Sequence, residues 1–170
     1  ILPGRDPNLH LVNVVGTRNV LCAFKQSGAR RMVYTSSIHA LRRIPHGAVV
    51  DESLPYDPDN PYGAYDRSKA QASLLVQQAA CEGLDVVIAC PTGVIGPHDY
   101  RISEMGKVIL DCVRGRPMLY VDGAYDFVDV RDVAQGLVLA RQYGRCGENY
   151  ILSGEQISVK DLILSVQHAL

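Results

Sequence analysis

The sequence predicts an α/β protein, a doubly wound parallel sheet of which only the later part is present. Three observations carry this reading. Strand-sized apolar runs alternate with longer segments whose apolar residues recur at helical spacing. Glycine and proline punctuate the junctions. The resulting strand–helix–strand–helix order calls for parallel pairing through right-handed crossovers.

In chain order, Leu11, Val14, Val15, Val20, Leu21 and Phe24 mark a helix from Pro7 to Ser27, stopped at Gly28. Arg31 to Ser36 is rich in β-formers and reads as a buried strand. Ile38 to Asn60 holds Pro45, Gly47, Pro55 and Pro58 and reads as a long surface loop, a length usually kept for function. Tyr62 to Glu82 favours a helix, with Gly83 its stop. Asp85 to Cys90 is a second apolar strand, and Pro91 to Pro97 a turn region. Ser103 caps a helix to Arg114, Met118 to Val121 forms a short strand, and Asp129 or Asp132 caps a helix to Tyr143. Glu148 to Leu152 is a strand, and Ser158 opens the last helix. Internal repeats and low-complexity tracts are absent.

Composition excludes several function classes. The 170 residues are 47% hydrophobic, so a buried core is expected rather than disorder. Seventeen basic and 18 acidic residues give a net charge of -1, which argues against nucleic acid or an anionic membrane as partner. The apolar runs are too short to span a bilayer, and the first residues lack the pattern of a signal peptide. Five cysteines, an odd number without C-x-x-C spacing, read as buried free thiols in a reducing cytosol, hence a cytoplasmic protein without a metal site. The chain does not begin with Met and its last helical pattern reaches Leu170 uncapped, so a piece of a longer protein is expected.

The strongest chemical constellation is Tyr65 and Lys69 with Ser37. Four residues apart on a helix, Tyr65 and Lys69 share one face. A neighbouring ammonium is expected to lower the phenol's pKa from about 10, allowing proton exchange with a carbonyl or alcohol oxygen. Ser37 ends a strand, where its hydroxyl can orient the same oxygen. The C-terminal ends of parallel strands face the ligand crevice. With nine tyrosines in the chain the Y-x-x-x-K spacing alone is weak, and context raises it. Thr35 and Ser36 read as sheet-side hydroxyls, and Asn13 as a helix residue satisfied by backbone. His39 reads equally as a substrate neighbour or a solvated loop residue. His10, His46, His98 and His168 lack metal-ligand spacing. Asp129, Arg131 and Asp132 read as a capped, ion-paired helix start, and Asp51-Glu52 as a solvated acidic turn. Tyr120 and Tyr125 divide evenly between a pocket lining and a small-lobe strand and turn.

The ordered segments NVVGTRNVL (Asn13 to Leu21), RMVYTSS (Arg31 to Ser37), YGAYDRSK (Tyr62 to Lys69), VVIACPTGVIGP (Val86 to Pro97), FVDVRDVAQG (Phe127 to Gly136) and GENYILSG (Glu148 to Gly154) cover nearly the whole chain. Together they resemble the extended short-chain dehydrogenase/reductase family, also called the NAD-dependent epimerase/dehydratase family, in its dihydroflavonol-reductase-like branch. The resemblance implies a partial Rossmann-like parallel sheet with a small substrate-binding lobe, and a Ser37–Tyr65–Lys69 catalytic triad. Tyr65 and Lys69 would also meet the cofactor, NAD or NADP, with Pro91, Thr92, Gly93 and Val94 lining the nicotinamide. Asn13 matches a position that supports the sheet edge beside the active site. The implied division is residues 1–102 for the second half of the dinucleotide-binding domain and 103–126 for part of the substrate lobe. Residues 127–156 then return to the first domain, and 157–170 begin a C-terminal lobe.

The family's Gly-rich phosphate loop is missing: the only G-x-x-G pairs are Gly93/Gly96 and Gly144/Gly147. The chain as given is therefore expected to bind dinucleotide poorly, with activity in a longer parent. The implied activity is hydride transfer between nicotinamide and a secondary alcohol or carbonyl of a small-molecule substrate. The alternatives are a nucleotide-sugar epimerase using the same triad, and a non-catalytic cofactor-binding protein. Ile38-His39-Ala40-Leu41 stands where many sugar epimerases carry a small residue and then Val-Tyr-Gly, and no Thr-Asp-Glu element follows. Relatives often dimerise through helices matching 7–27 and 62–82, so a homodimer is expected, with Leu74, Leu75 and Val76 available for its interface.

Overall fold

The run Val86–Pro91 is buried at every position, as a central strand covered on both faces must be. The structure is a computed structural model and describes residues 7–45, 47–116 and 123–170. In chain order the helices and strands begin with α1 (Pro7–His10), which continues through a π-helical turn (Leu11–Val15) into α2 (Gly16–Ser27). β1 (Met32–Thr35), a 3-10 turn (Ile38–Ala40), α3 (Ala64–Cys81), β2 (Val86–Pro91) and β3 (Gly93–Ile95) follow. Then come α4 (Glu104–Val113), β4 (Ala124–Asp129), α5 (Val130–Tyr143), β5 (Asn149–Leu152), β6 (Glu155–Ser158) and α6 (Val159–His168).

These elements fall into two compact units. The first comprises the described residues up to Pro91 together with Gln135–Leu152. Its sheet has the order β1-β2-β5, parallel throughout, with Val33 opposite Val87 and Cys90 opposite Ile151. The expected Rossmann-like parallel sheet is thus present in part. Its core gathers Leu41, Tyr56, Val76, Val86 and Ile88. Gly28 ends α2 in the left-handed region at φ 69, where glycine carries no Cβ penalty. Arg31 ties the sheet's edges together. Its guanidinium binds both Asp85 carboxylate oxygens and donates to the Arg141 and Gly144 carbonyls.

The second unit covers the described residues of Thr92–Ala134 and Ser153–Leu170. This packing boundary after Pro91 falls before the functional boundary drawn at 102. Here three expectations are corrected. The Pro91 to Pro97 turn contains a strand, β3, paired with β4. β4 and β6 were not anticipated, and they pair antiparallel, so this sheet is mixed rather than all parallel. Glu155–Ser158 is polar, and only its partner strand makes it a strand. The helix starts hold: Ser103 Oγ accepts the Gly106 N–H at 3.1 Å, and Ser158 Oγ accepts the Asp161 N–H at 3.0 Å. Asp129, not Asp132, accepts the Arg131 N–H at 2.8 Å and also pairs with its guanidinium. The expected strand Met118 to Val121, Tyr120 and His46 lie outside the described residues.

Among the described residues no helix is long and apolar enough to cross a membrane. Of the five cysteines expected to be buried, only Cys90 and Cys112 are. Glu52, exposed in a turn as expected, also accepts the Ile151 N–H at 2.9 Å through its carboxylate, engaging the exposed side of β5. Of the apolar residues available for a dimer face, Val76 lies wholly in the core, while Leu74 is 39% exposed.

Candidate active site

Beyond Thr35 the chain leaves β1 as Ser36-Ser37. Both are buried, and their hydroxyls part company. Ser36 Oγ pairs with Ser73 Oγ on α3 at 2.6 Å, a sheet-to-helix bond as its sequence context suggested. Ser37 is extended and caps the 3-10 turn, its Oγ accepting the His39 N–H at 3.2 Å. The following loop returns through a bridge between Leu41 and Tyr56. Asn60 then sets the start of α3: its side-chain oxygen accepts the Tyr62 N–H and its carbonyl accepts from Arg67.

Tyr65 occupies the first turn of α3, half-buried. Burial pushes its phenol up from its ordinary value; the Ser37 hydroxyl opposes this, and the Asp66 charge adds to it. Lys69 is not among the groups that shift it. The Lys69 ammonium donates to the Thr35 carbonyl at 2.9 Å and lies 5.4 Å from the centre of the Tyr34 ring, a cation–π distance. Burial also pulls the Lys69 pKa down. Sharing a helix face brings two side chains near each other, but the rotamer decides where each charge goes.

Asn13 lies in the π-helical turn, and its amide donates to Ser68 Oγ at 2.9 Å, a side-chain partner rather than the expected backbone one. Ser68 Oγ donates in turn to the Tyr65 carbonyl. Sequence reasoning missed the other side of Tyr65. Asp66, 4% exposed, binds Arg43 at 3.2 Å, with His39 Nδ1 at 3.8 Å. Arg43 stacks 4.0 Å over the Tyr62 ring, and the His39 ring meets Tyr65 edge-on. An acid next to the Y-x-x-x-K tyrosine was the available signal. Arg43, reached across the loop, had none.

Pro91 closes β2 opposite Leu152, at the C-terminal edge of the parallel sheet. Gly93 and Val94 belong to β3. A Cβ at Gly93 would come within 2.8 Å of the Phe127 ring, so strand packing alone explains this glycine. The ammonium of Lys69 commits one of its three N–H donors among the described residues. The spare donors of Lys69 and the Ser37 hydroxyl just beyond β1 fit the ribose and nicotinamide end of a dinucleotide. The phosphates would need the Gly-rich turn that these residues lack.

Comparison with known proteins agrees with this partial fit. The chain is 39% identical over 163 residues to sterol demethylase protein B of Methylococcus capsulatus, covering 96% of this chain and 49% of that protein. It is 38% identical over 159 residues to a Synechocystis protein provisionally named a dihydroflavonol 4-reductase, covering 91% and 46%. The crystal structure of gox2253 superposes with a TM-score of 0.90 at 36% identity, covering 98% of this chain and 51% of that one. The chain thus spans about half the length of the curated relatives it matches. The model of the NAD-dependent epimerase/dehydratase family matches residues 5–153, and the chain belongs to that family.

Proposed function

We propose that the intact protein is an NAD(P)-dependent oxidoreductase acting on a secondary alcohol or carbonyl of a small molecule. The observation that carries this is the family match over residues 5–153 together with Ser37 just beyond β1 and the Lys69 ammonium on the adjoining Thr35 carbonyl. Bound nicotinamide supplies or takes up the hydride. Lys69 and Tyr65 would hold its ribose. A carbonyl oxygen accepting from the Ser37 and Tyr65 hydroxyls is oriented and polarised. Burial keeps Tyr65 protonated at neutral pH, which suits an acid that donates to the oxygen during reduction. In the reverse direction Tyr65 takes the alcohol proton, and that step speeds up as pH rises. The similarity to a protein named as a reductase supports the reading. A homodimer through α2 and α3 belongs to it as well, supported by exposed Val20 and Leu74.

The test is Tyr65→Phe in the intact protein. Turnover of reduced cofactor with a carbonyl substrate is expected to fall by about 1,000-fold, while cofactor affinity changes little. Retained turnover overturns the assignment. Isomerised sugar, formed without stoichiometric cofactor consumption, identifies an epimerase instead.

A further inference from the structure

The second unit carries a cavity of about 450 Å³ between β3, the loop after it, and α4. This lies within the range of roughly 300–1,000 Å³ usual for small-molecule sites. Its walls are mostly apolar, with Val94, Ile95, Ile102, Ile109, Leu110 and Val130 around it, and Asp99 and Ser103 among its polar residues. A groove of about 390 Å³ shares Ile102 and Leu110 with this cavity. Arg101, Lys107, Arg114 and Arg116 line the groove, with one carboxylate, Asp111. Lys107 pairs with Glu104 and Arg116 with Asp111, while Arg101 and Arg114 form no ion pair among the described residues. The shared residue Ile102 sits in the left-handed region at φ 49, a strained place for a β-branched side chain. It is 44% exposed there. His98, at φ 72, lines the same cavity.

We infer that this pair of hollows binds an amphipathic ligand, an apolar body joined to phosphate. The body enters the cavity and the phosphate rests on Arg101 and Arg114. The cavity's polar side chains are engaged with one another or with a neighbour, Asp99 with Ser103 and His98 with Tyr100, so the Val, Ile and Leu walls favour an apolar body over sugar hydroxyls, whose unpaired burial is unfavourable. Two uncommitted guanidiniums suit phosphate oxygens, which they can grip in bidentate fashion. The inference rests on the proposed oxidoreductase only in calling this ligand its substrate. The binding chemistry stands on the second unit alone.

The probes are geranyl diphosphate, its separate halves geraniol and inorganic pyrophosphate, octanoyl-coenzyme A, and UDP-glucose. Binding to the intact protein is measured by calorimetry at low and moderate salt. Geranyl diphosphate or octanoyl-coenzyme A is expected to bind at least about tenfold more tightly than either half and than UDP-glucose, weakening with salt. Whichever of the two binds tighter tells whether the phosphate belongs to an alkyl diphosphate or an acyl thioester. The exposed pair Arg101→Glu/Arg114→Glu is expected to weaken that probe at least about tenfold and leave geraniol unchanged. Ile109→Asp is expected to weaken both, with folding checked by circular dichroism. UDP-glucose binding as tightly, or an unaffected arginine double variant, overturns the inference, as does the absence of binding by both amphipathic probes. Wild-type probe binding and carbonyl turnover, measured side by side, separate the two readings. Normal probe binding without carbonyl turnover in the wild type sinks the oxidoreductase alone; turnover without probe binding sinks this site alone.

Discussion

Lys69 Nζ donates to the Thr35 carbonyl oxygen at 2.9 Å, so its charge is directed at the end of β1. The phenol answers to burial, Ser37 and Asp66. In the cofactor-free protein, Lys69→Met is therefore expected to leave the Tyr65 titration nearly where it is. Phenolate absorbance, read as the difference between each protein and its Tyr65→Phe counterpart, measures this. A strong upward move would show that the ammonium reaches the phenol in solution.

Ser37→Ala removes the hydroxyl that opposes the effect of burial on Tyr65. The phenol then rises further, so the alkaline limb of alcohol oxidation should move to higher pH. Turnover near neutral pH should fall about 100-fold, the usual loss for one oxygen-orienting donor. A pH–rate profile checks both effects. An unmoved limb would mean that Ser37 does not act on Tyr65.

The serine pair shows how far the sequence could be read. Strand, serine, loop and Y-x-x-x-K helix were legible because periodicity and punctuation are local. The split between Ser36, bonded to Ser73, and Ser37, which caps the 3-10 turn, arises where the chain leaves β1. The direction of Lys69 and the Arg43–Asp66 pair were not legible, since both depend on where a loop returns. β6 was hidden for a related reason: Glu155 and Gln156 are strand residues only because β4 lies beside them.

The Ser36–Ser73 bond joins β1 to α3 through two buried hydroxyls at 2.6 Å. Ser73→Ala leaves Ser36 short of a partner and should cost about 1–3 kcal/mol. The double variant Ser36→Ala/Ser73→Ala should cost less than the sum of the singles. Urea denaturation of the four proteins gives the coupling. Additive losses would show that the bond contributes nothing of its own.

Gly144 is fixed by sterics, and its φ is not in the left-handed region. A Cβ there would collide with the Ala140 carbonyl oxygen and come within 2.8 Å of Val87 on the central strand. The first of these is backbone and cannot turn aside. Gly144→Ala is expected to destabilise by about 1–3 kcal/mol, lowering the melting temperature. Gly63→Ala, where a Cβ meets nothing within 4 Å, is the control and should change it little.

His39 supplies a pH-dependent contribution whose sign follows from its surroundings. Burial lowers its pKa below 6.5, Asp66 opposes that, and Arg43 adds to it. The unfolded chain therefore takes up a proton at a higher pH than the folded one. Between 6.5 and the lower folded value the unfolded state holds more protons, so stability is full above 6.5 and falls as pH drops through that window. His39→Gln removes this loss. Urea midpoints at pH 7.5 and 5.5 should differ less in the variant than in the wild type, because the remaining carboxylates contribute equally to both. Asp66→Asn removes the opposing charge, so the His39 resonance should titrate at still lower pH by NMR. An upward move would mean that Asp66 does not face the imidazole in solution.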